Sequence, residues 1–289
     1  GGPNILIPYP SNAITIDSLP AGTYQLRITD SNGCEKNRIR TITSPPALVP
    51  NSIIQSNYNG YEISCFGAND GAIRAQVNSG GTPGFMFAIN QVNNPLGVYT
   101  ASPDFQNLSS GTYAIQYIDT NGCTTSDTLL LREPPDLSGT ISVSSAISCN
   151  SVCDGQITFS VDPNSPGIPT YQYSLNGGAY QTGFMYGALC GDNQYFVTVL
   201  DFNGCTYTDS IYLTQPDSLD VYASVISNYN GWGVSCFGVT NGAISVDSVN
   251  GGTPTYTYSI DNGPISFSSS FTGLSGGNHT IVVHDASSC

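Results

Sequence analysis

Apolar and polar residues alternate with a period of two along most of this chain. Residues 23–28 read Thr-Tyr-Gln-Leu-Arg-Ile, with Tyr24, Leu26 and Ile28 on one face and Gln25, Arg27 and Thr29 on the other. That is the pattern of a β-strand with two unlike faces. It returns at 112–119, 194–201 and 279–285. Each of these strands runs into an Asn-Gly turn or a degenerate version of one, the strongest short-range hairpin signal. No stretch carries a helical period. Short strands at regular spacing predict an all-β chain of sandwiches.

The pattern is itself repeated. Asp30-Ser31-Asn32-Gly33-Cys34 recurs as Asp119-Thr120-Asn121-Gly122-Cys123, as Asp201-Phe202-Asn203-Gly204-Cys205, and in weaker form as Asp285-Ala286-Ser287-Ser288-Cys289. Ile63-Ser64-Cys65, Ile147-Ser148-Cys149 and Val234-Ser235-Cys236 form a second series, each followed by an Asp/Asn-Gly and a strand. Gly80-Gly81-Thr82-Pro83 returns as Gly251-Gly252-Thr253-Pro254. Such periodicity is the signature of an array. The predicted boundaries are 1–46 (the C-terminal half of a repeat), 47–135, 136–216 (with an extra cysteine pair) and 217–289 (lacking its last strand). Pro45-Pro46, Pro134-Pro135 and Gln215-Pro216 mark the joints. Leu19 to Tyr24, Leu108 to Tyr113 and Leu189 to Tyr195 place a tyrosine at the start of the penultimate strand, where immunoglobulin-like sandwiches carry the tyrosine corner. His279 takes that position in the last repeat.

Charge narrows the function. The chain has 6 Lys+Arg against 20 Asp+Glu, a formal charge of −14, and only 9% charged residues. After Arg132 there is no Lys or Arg at all. An acidic surface repels phosphate backbones, so nucleic acid is excluded as a partner, and there is no basic cluster to dock on anionic lipid. No apolar run approaches the roughly 18 residues of a membrane span, and no signal-peptide pattern opens the sequence, so direct membrane insertion is not expected. Disorder is excluded by 39% hydrophobic and 10% aromatic residues.

Nine cysteines in such a chain point to an oxidising compartment and to disulfides. Two wirings fit. In the first, each repeat closes on itself, Cys65 with Cys123, Cys149 with Cys205, and Cys236 with Cys289, with Cys153 and Cys190 as an extra pair and Cys34 left alone. In the second, neighbours are stitched together, Cys65 with Cys205 and Cys149 with Cys289, while Cys153 pairs with Cys190 inside one repeat and Cys34, Cys123 and Cys236 look to partners outside this segment. Strand geometry favours the second. In an immunoglobulin-like order the second strand, after Cys153, and the sixth, after Cys190, start at the same end. Cys205 then lies a strand away, about 30 Å at 3.3 Å per residue, too far for a Cys149 held four residues from Cys153. With a strand fewer between them the first wiring reopens, and Cys153 with Cys190 becomes the doubtful pair. Stitched neighbours would make a stiff rod; self-closed repeats would bend at the proline joints.

Taken together, Cys-Phe-Gly-Ala-Asn-Asp-Gly at 65–71, Gly-Gly-Thr-Pro at 80–83, Leu-Ser-Ser-Gly-Thr-Tyr at 108–113 and Asp-Thr-Asn-Gly-Cys at 119–123 resemble the SprB-type repeat of Bacteroidota gliding-motility and cell-surface adhesins. The middle repeat departs from it, with Asn150-Ser151-Val152-Cys153 in place of the glycine-rich loop and Pro163-Asn164-Ser165-Pro166-Gly167 in place of Gly-Gly-Thr-Pro. The resemblance implies a stalk segment of a large secreted filament at the bacterial cell surface. It implies export by the type IX system and attachment to outer-membrane gliding and secretion machinery through regions outside this segment. Its immediate partners would be neighbouring repeats of the same chain. It also gives meaning to Asp-Ser/Thr-aliphatic tripeptides, which Bacteroidota O-glycosylate. These make Ser18, Thr128, Ser210, Ser218 and Ser248 candidate glycan sites.

Catalysis has little to stand on. His279 and His284 are the only histidines, and no nucleophile–base–acid set accompanies them. The aspartates at 30, 119, 201 and 285 open turns, as Asp does by bonding its own backbone. No local run supplies the three or more carboxylates a calcium site needs, and the cysteine spacing is not that of zinc, so no metal or cofactor is expected. The loops at 56–61 and 227–232 end in aromatics. Tyr58, Tyr61, Tyr229 and Trp232 could stack on a surface polysaccharide, or pack between domains near the joints. A carbohydrate-binding array is therefore the rival to the stalk.

Overall fold

The computed structural model describes residues 13–92 and 97–289, and every regular element among them is a β-strand. The start of the 1–46 segment lies outside the described residues. The chain divides into two compact units. One joins the residues up to Ser56 with Gly71–Leu131; the other joins Asn57–Asp70 with Arg132–Cys289.

In the first unit, β1 (Gly22–Thr29) and β2 (Glu35–Ile42) form an antiparallel hairpin. Leu26 and Ile28 on one face of it, and Ile39 opposite Gln25 on the other, remain exposed, because a two-stranded ribbon has no second layer to cover it. The rest of the unit is a sandwich of short strands. These are β3 (Val49–Pro50), β4 (Ile53–Ile54), β5 (Gly71–Arg74), β6 (Val77–Ser79), β7 (Met86–Gln91), β8 (Asp104–Leu108), β9 (Gly111–Ile118) and β10 (Thr124–Leu131). One sheet runs β4-β5-β8 and the other β10-β9-β7, with β3 paired to β6. Ile73, Ile115 and Tyr117 are fully buried.

The second unit carries the clearest sandwich. It contains β11 (Leu137–Ser145), β12 (Gly155–Pro166), β13 (Gln172–Leu175), β14 (Met185–Leu189), β15 (Asn193–Leu200) and β16 (Thr206–Leu213). The sheets run β11-β12-β14 and β13-β15-β16. This is the two-sheet split of immunoglobulin-like domains with one strand fewer. The fifth strand of the repeat, not the sixth, follows Cys190. Residues 176–184 cross between the sheets instead of forming a strand, turning at Asn176 and Gly177 with φ of 49° and 73°. The crossing keeps both ends in place. Because Gly155 pairs with Leu189 in the antiparallel β12/β14 ladder, Cys153 and Cys190 lie at one end of it. A core of Leu137, Ile147, Ile157, Phe159, Val197 and Leu213 fills the space between the sheets. Gly155 leaves room for it, since a Cβ would stand 2.6 Å from both the Ile147 and Leu213 methyls and push them aside. The last repeat follows with β17 (Asp220–Val225), β18 (Gly242–Asn250), β19 (Thr257–Ile260), β20 (Ser270–Leu274) and β21 (Ile281–His284), in sheets β17-β18-β20 and β19-β21.

The tyrosine corners are present. The hydroxyls of Tyr24, Tyr113 and Tyr195 donate to the carbonyls of Pro20 (2.6 Å), Ser109 (3.1 Å) and Cys190 (2.9 Å). In the last repeat His279 Nε2 meets the Ser275 carbonyl at 2.9 Å. An imidazole thus replaces the phenol at the same joint.

Candidate functional site

The feature that recurs with full detail is a junction between a cysteine loop and the hairpin turn of the next repeat. The hairpin side is built on a buried aspartate. Asp201, 4% exposed, accepts from the amides of Asn203 and Cys205 at 2.9 Å within its own turn. Its other oxygen takes the Ile168 amide, also at 2.9 Å. Asp119 and Asp285 repeat this arrangement with Thr82 and Thr253 as the third donors, at 2.9 and 2.7 Å. A buried carboxylate is tolerated because each is paired with three N–H groups. The Thr82 amide, foremost among the donors, holds Asp119 below the usual carboxylate range. For Asp285 burial works the other way, but the amides of Thr253, Cys289 and Ser287 outweigh it. The second glycine of Gly-Gly-Thr-Pro follows from this. Gly252 has φ of 62°, and a Cβ there would come within 2.9 Å of the Asp285 carboxylate.

The loop side starts from a tight turn. Tyr58 and Tyr61 exchange backbone hydrogen bonds of 2.7 and 3.2 Å around Asn59 and Gly60, which both have positive φ, as a two-residue hairpin turn demands. Asp70 accepts from the Ser64 amide at 3.1 Å, as Asp154 does from Ser148 at 3.0 Å and Asn241 from Ser235 at 3.1 Å. The joint residue after each sandwich caps its own cysteine loop. Glu133 accepts from the Gly67 amide at 2.8 Å, and Gln215 from the Ser151 amide at 2.9 Å. At the Pro134-Pro135 joint Arg132 grips Glu62 with Nη2 and Nε, at 2.8 and 3.1 Å. This bidentate contact lowers the Glu62 carboxyl pKa.

Loop and hairpin meet at two places. Cys65 is bonded to Cys205 and Cys149 to Cys289, each with Cα atoms 5.7 Å apart and 140 residues of separation. Cys205 and Cys289 each stand 3.4 Å from the carbonyl preceding the partner cysteine, Ser64 and Ser148. At the first junction Asn203 adds a polar fitting, donating to the Ser64 carbonyl at 2.9 Å and the Tyr58 carbonyl at 3.4 Å. Its side-chain oxygen meets the Asn59 amide. Cys153 is bonded to Cys190. Cys34, Cys123 and Cys236 carry free, exposed thiols. None of the same-repeat pairs Cys65 with Cys123, Cys149 with Cys205, or Cys236 with Cys289 is joined.

The aromatic loops differ in surroundings. Tyr58 and Tyr61 flank the turn that receives Asn203. Tyr229 and Trp232 form the same turn, with bonds of 2.8 and 3.2 Å, but Trp232 is 75% exposed. It borders a cavity of about 620 Å³ that Val225, Val234, Leu274 and His279 also line. The five candidate hydroxyls, Ser18, Thr128, Ser210, Ser218 and Ser248, all lie on exposed residues. The aspartates of two of those tripeptides have structural work as well. Asp127 accepts from the Ser52 amide at 2.9 Å and Asp209 from the Ile141 amide at 3.0 Å, tying the last strand of each sandwich to the first. Among the described residues no group of three His, Cys, Asp or Glu could hold a metal, and no helix is long and apolar enough to cross a membrane.

Sequence reasoning missed the roles of Asn203, Glu133 and Gln215. The signal available was positional. Glu133 and Gln215 stand at equal distance beyond Leu131 and Leu213, each just before the proline joint.

The family model of the SprB repeat matches residues 61–94 and 234–264. Comparison with curated proteins gave no match. Similar solved structures include three N-terminal domains of the bacteriophage RB49 outer capsid protein Hoc, 13% identical with a TM-score of 0.37 over 81% of this chain and 85% of that one. Fibronectin(III)-like modules of Clostridium thermocellum CbhA are 15% identical, with a TM-score of 0.27 over 57% and 95%. Domains FN1–FN3 of chicken CNTN1 are 13% identical, with a TM-score of 0.23 over 85% and 95%.

Proposed function

From a chain that carries SprB repeats, we propose that this is a structural stalk segment of a secreted cell-surface adhesin filament, whose part is reach, stiffness and presentation. The repeats are the domains delimited above, and tension along them passes from an outer-membrane anchor or gliding motor to a distal contact. One observation carries the reading. The loop cysteine of one repeat is bonded to the hairpin cysteine of the next, twice, at the same separation of 140 residues. A joint repeated in this way is what a load-bearing array requires. Export by the type IX route and O-glycosylation at the five exposed hydroxyls belong to the same proposal. Glycans would keep soluble a surface that has few charges.

The test is on cells that express the protein. Antibodies against 136–289 should label intact cells, and deletion of the repeats should abolish surface adhesion or gliding while leaving export of other proteins unchanged. Label confined to the cell interior would contradict the proposal.

The rival, polysaccharide binding, has one observation in its favour, the exposed Trp232 beside its cavity. Against it, the matching Tyr58 turn is engaged by Asn203. Glycan-array binding that Trp232→Ala removes would support it.

A further inference from the structure

The three disulfides of the second unit, read together, form a continuous covalent path. From Cys65 the path crosses to Cys205. It then follows fifteen residue steps back to Cys190 and crosses to Cys153. Four more steps reach Cys149, and the last bond crosses to Cys289. The backbone between Cys65 and Cys289 has 224 steps; this path has nineteen. We propose that these bonds act as a mechanical bypass, so that tension drawn between Cys65 and Cys289 never reaches most of the sandwiches it passes.

Only one strand of the unit is in series with the load. Residues 190–205 contain β15, and residues 149–153 contain no strand. The other ten strands, β11–β14 and β16–β21, hang on closed loops that carry no tension. β15 is the strand best placed to bear it. It lies between β13 and β16, pairs with β16 over eight residues, and buries Val197 and Val199 completely. Cys190 is further anchored where it enters, its carbonyl accepting from the Tyr195 hydroxyl at 2.9 Å. The bypass gives the Cys153–Cys190 bond a function that single-domain stability does not require. Without it the shortest route from Cys205 to Cys149 runs 56 backbone steps, through β12, β13 and β14 as well as β15.

The inference needs only the bond connectivity; it rests on the stalk reading for the claim that the chain is pulled in service. The test is single-molecule stretching of the whole oxidised chain, held by enzymatically coupled tags at its two ends so that the free thiols are untouched. At about 3.5 Å per residue, the native chain should stop lengthening near 300 Å. The Cys153→Ser/Cys190→Ser variant should reach about 430 Å, and the reduced chain about 1,000 Å. These limits are read at full extension, so they do not depend on the stability of the variant's folded state. Reducing the native chain during the pull gives a second readout, a release of about 700 Å. A native oxidised chain that passes about 400 Å without bond rupture, or a variant that stops where the native chain does, would overturn the inference. Whether the cells display the protein is decided separately by surface labelling.

Discussion

His279 and Asp261 meet at 2.6 Å between Nδ1 and Oδ2, while the other ring nitrogen of His279 faces the Ser275 carbonyl at 2.9 Å. Both neighbours are acceptors, so the two contacts are satisfied together only by the imidazolium, which donates from both ring nitrogens. The hydrogen bond to Asp261, followed by that to Ser275, raises the His279 pKa, and the same contact lowers that of Asp261.

The sign of the pH effect follows. The His279 contribution is complete below the ordinary imidazole value and is lost as pH rises through its raised one. The Asp261 contribution is complete above the ordinary carboxylate range and is lost as pH falls through its depressed value. The last repeat should therefore be most stable between the two and weaken above neutrality. Trp232 is the only tryptophan and lies in that repeat, so its fluorescence during urea unfolding reports on it. The urea midpoint should fall from pH 6 to pH 9 in the native chain. In His279→Tyr, which restores the corner with a phenol whose ordinary pKa of about 10 lies above this range, that fall should vanish.

Asp201→Asn removes a buried carboxylate from three backbone donors. An amide oxygen is a weaker acceptor, and its NH₂ faces N–H groups. The expected loss is about 3 kcal/mol, read as roughly 100-fold faster hydrogen exchange at the amides of Ile168, Asn203 and Cys205. Exchange unchanged at Ile168 would show that the third bond carries no weight.

Breaking the second junction with Cys149→Ser/Cys289→Ser should destabilise the last repeat. Closing a 140-residue loop stabilises by at most about 5 kcal/mol in the chain-entropy account. The Trp232 transition should move to lower urea and separate from that of the preceding repeat. A transition that stays put would mean that the repeats are autonomous.

At least two of Ser18, Thr128, Ser210, Ser218 and Ser248 should carry a glycan in cell-derived material, seen as mass-shifted peptides. Unmodified hydroxyls at all five would end that part of the proposal.

Much of the fold is legible in the sequence because alternation and turn chemistry are local. Tyr24, Tyr113, Tyr195 and His279 could be placed from their own flanking residues. The strand count was not legible. Residues 176–184 have the length for a strand, and only the sheet-to-sheet crossing at Asn176 and Gly177 rules it out. The third partner of Asp201 lies 33 residues away, fixed by how two turns meet and not by either alone. The disulfides pose the same difficulty on a larger scale. Spacing leaves two wirings open, and choosing between them requires knowing which pole of one sandwich faces which pole of the next. The Asn203 fitting is invisible for the same reason, since its acceptors, Ser64 and Tyr58, belong to another repeat.

The most direct test of the account is non-reducing peptide mass spectrometry on the native, cell-derived filament. The account predicts one linked peptide joining Cys65 to Cys205 and another joining Cys149 to Cys289. A peptide joining Cys65 to Cys123 would contradict it, and would make each repeat a separate body on a bending chain.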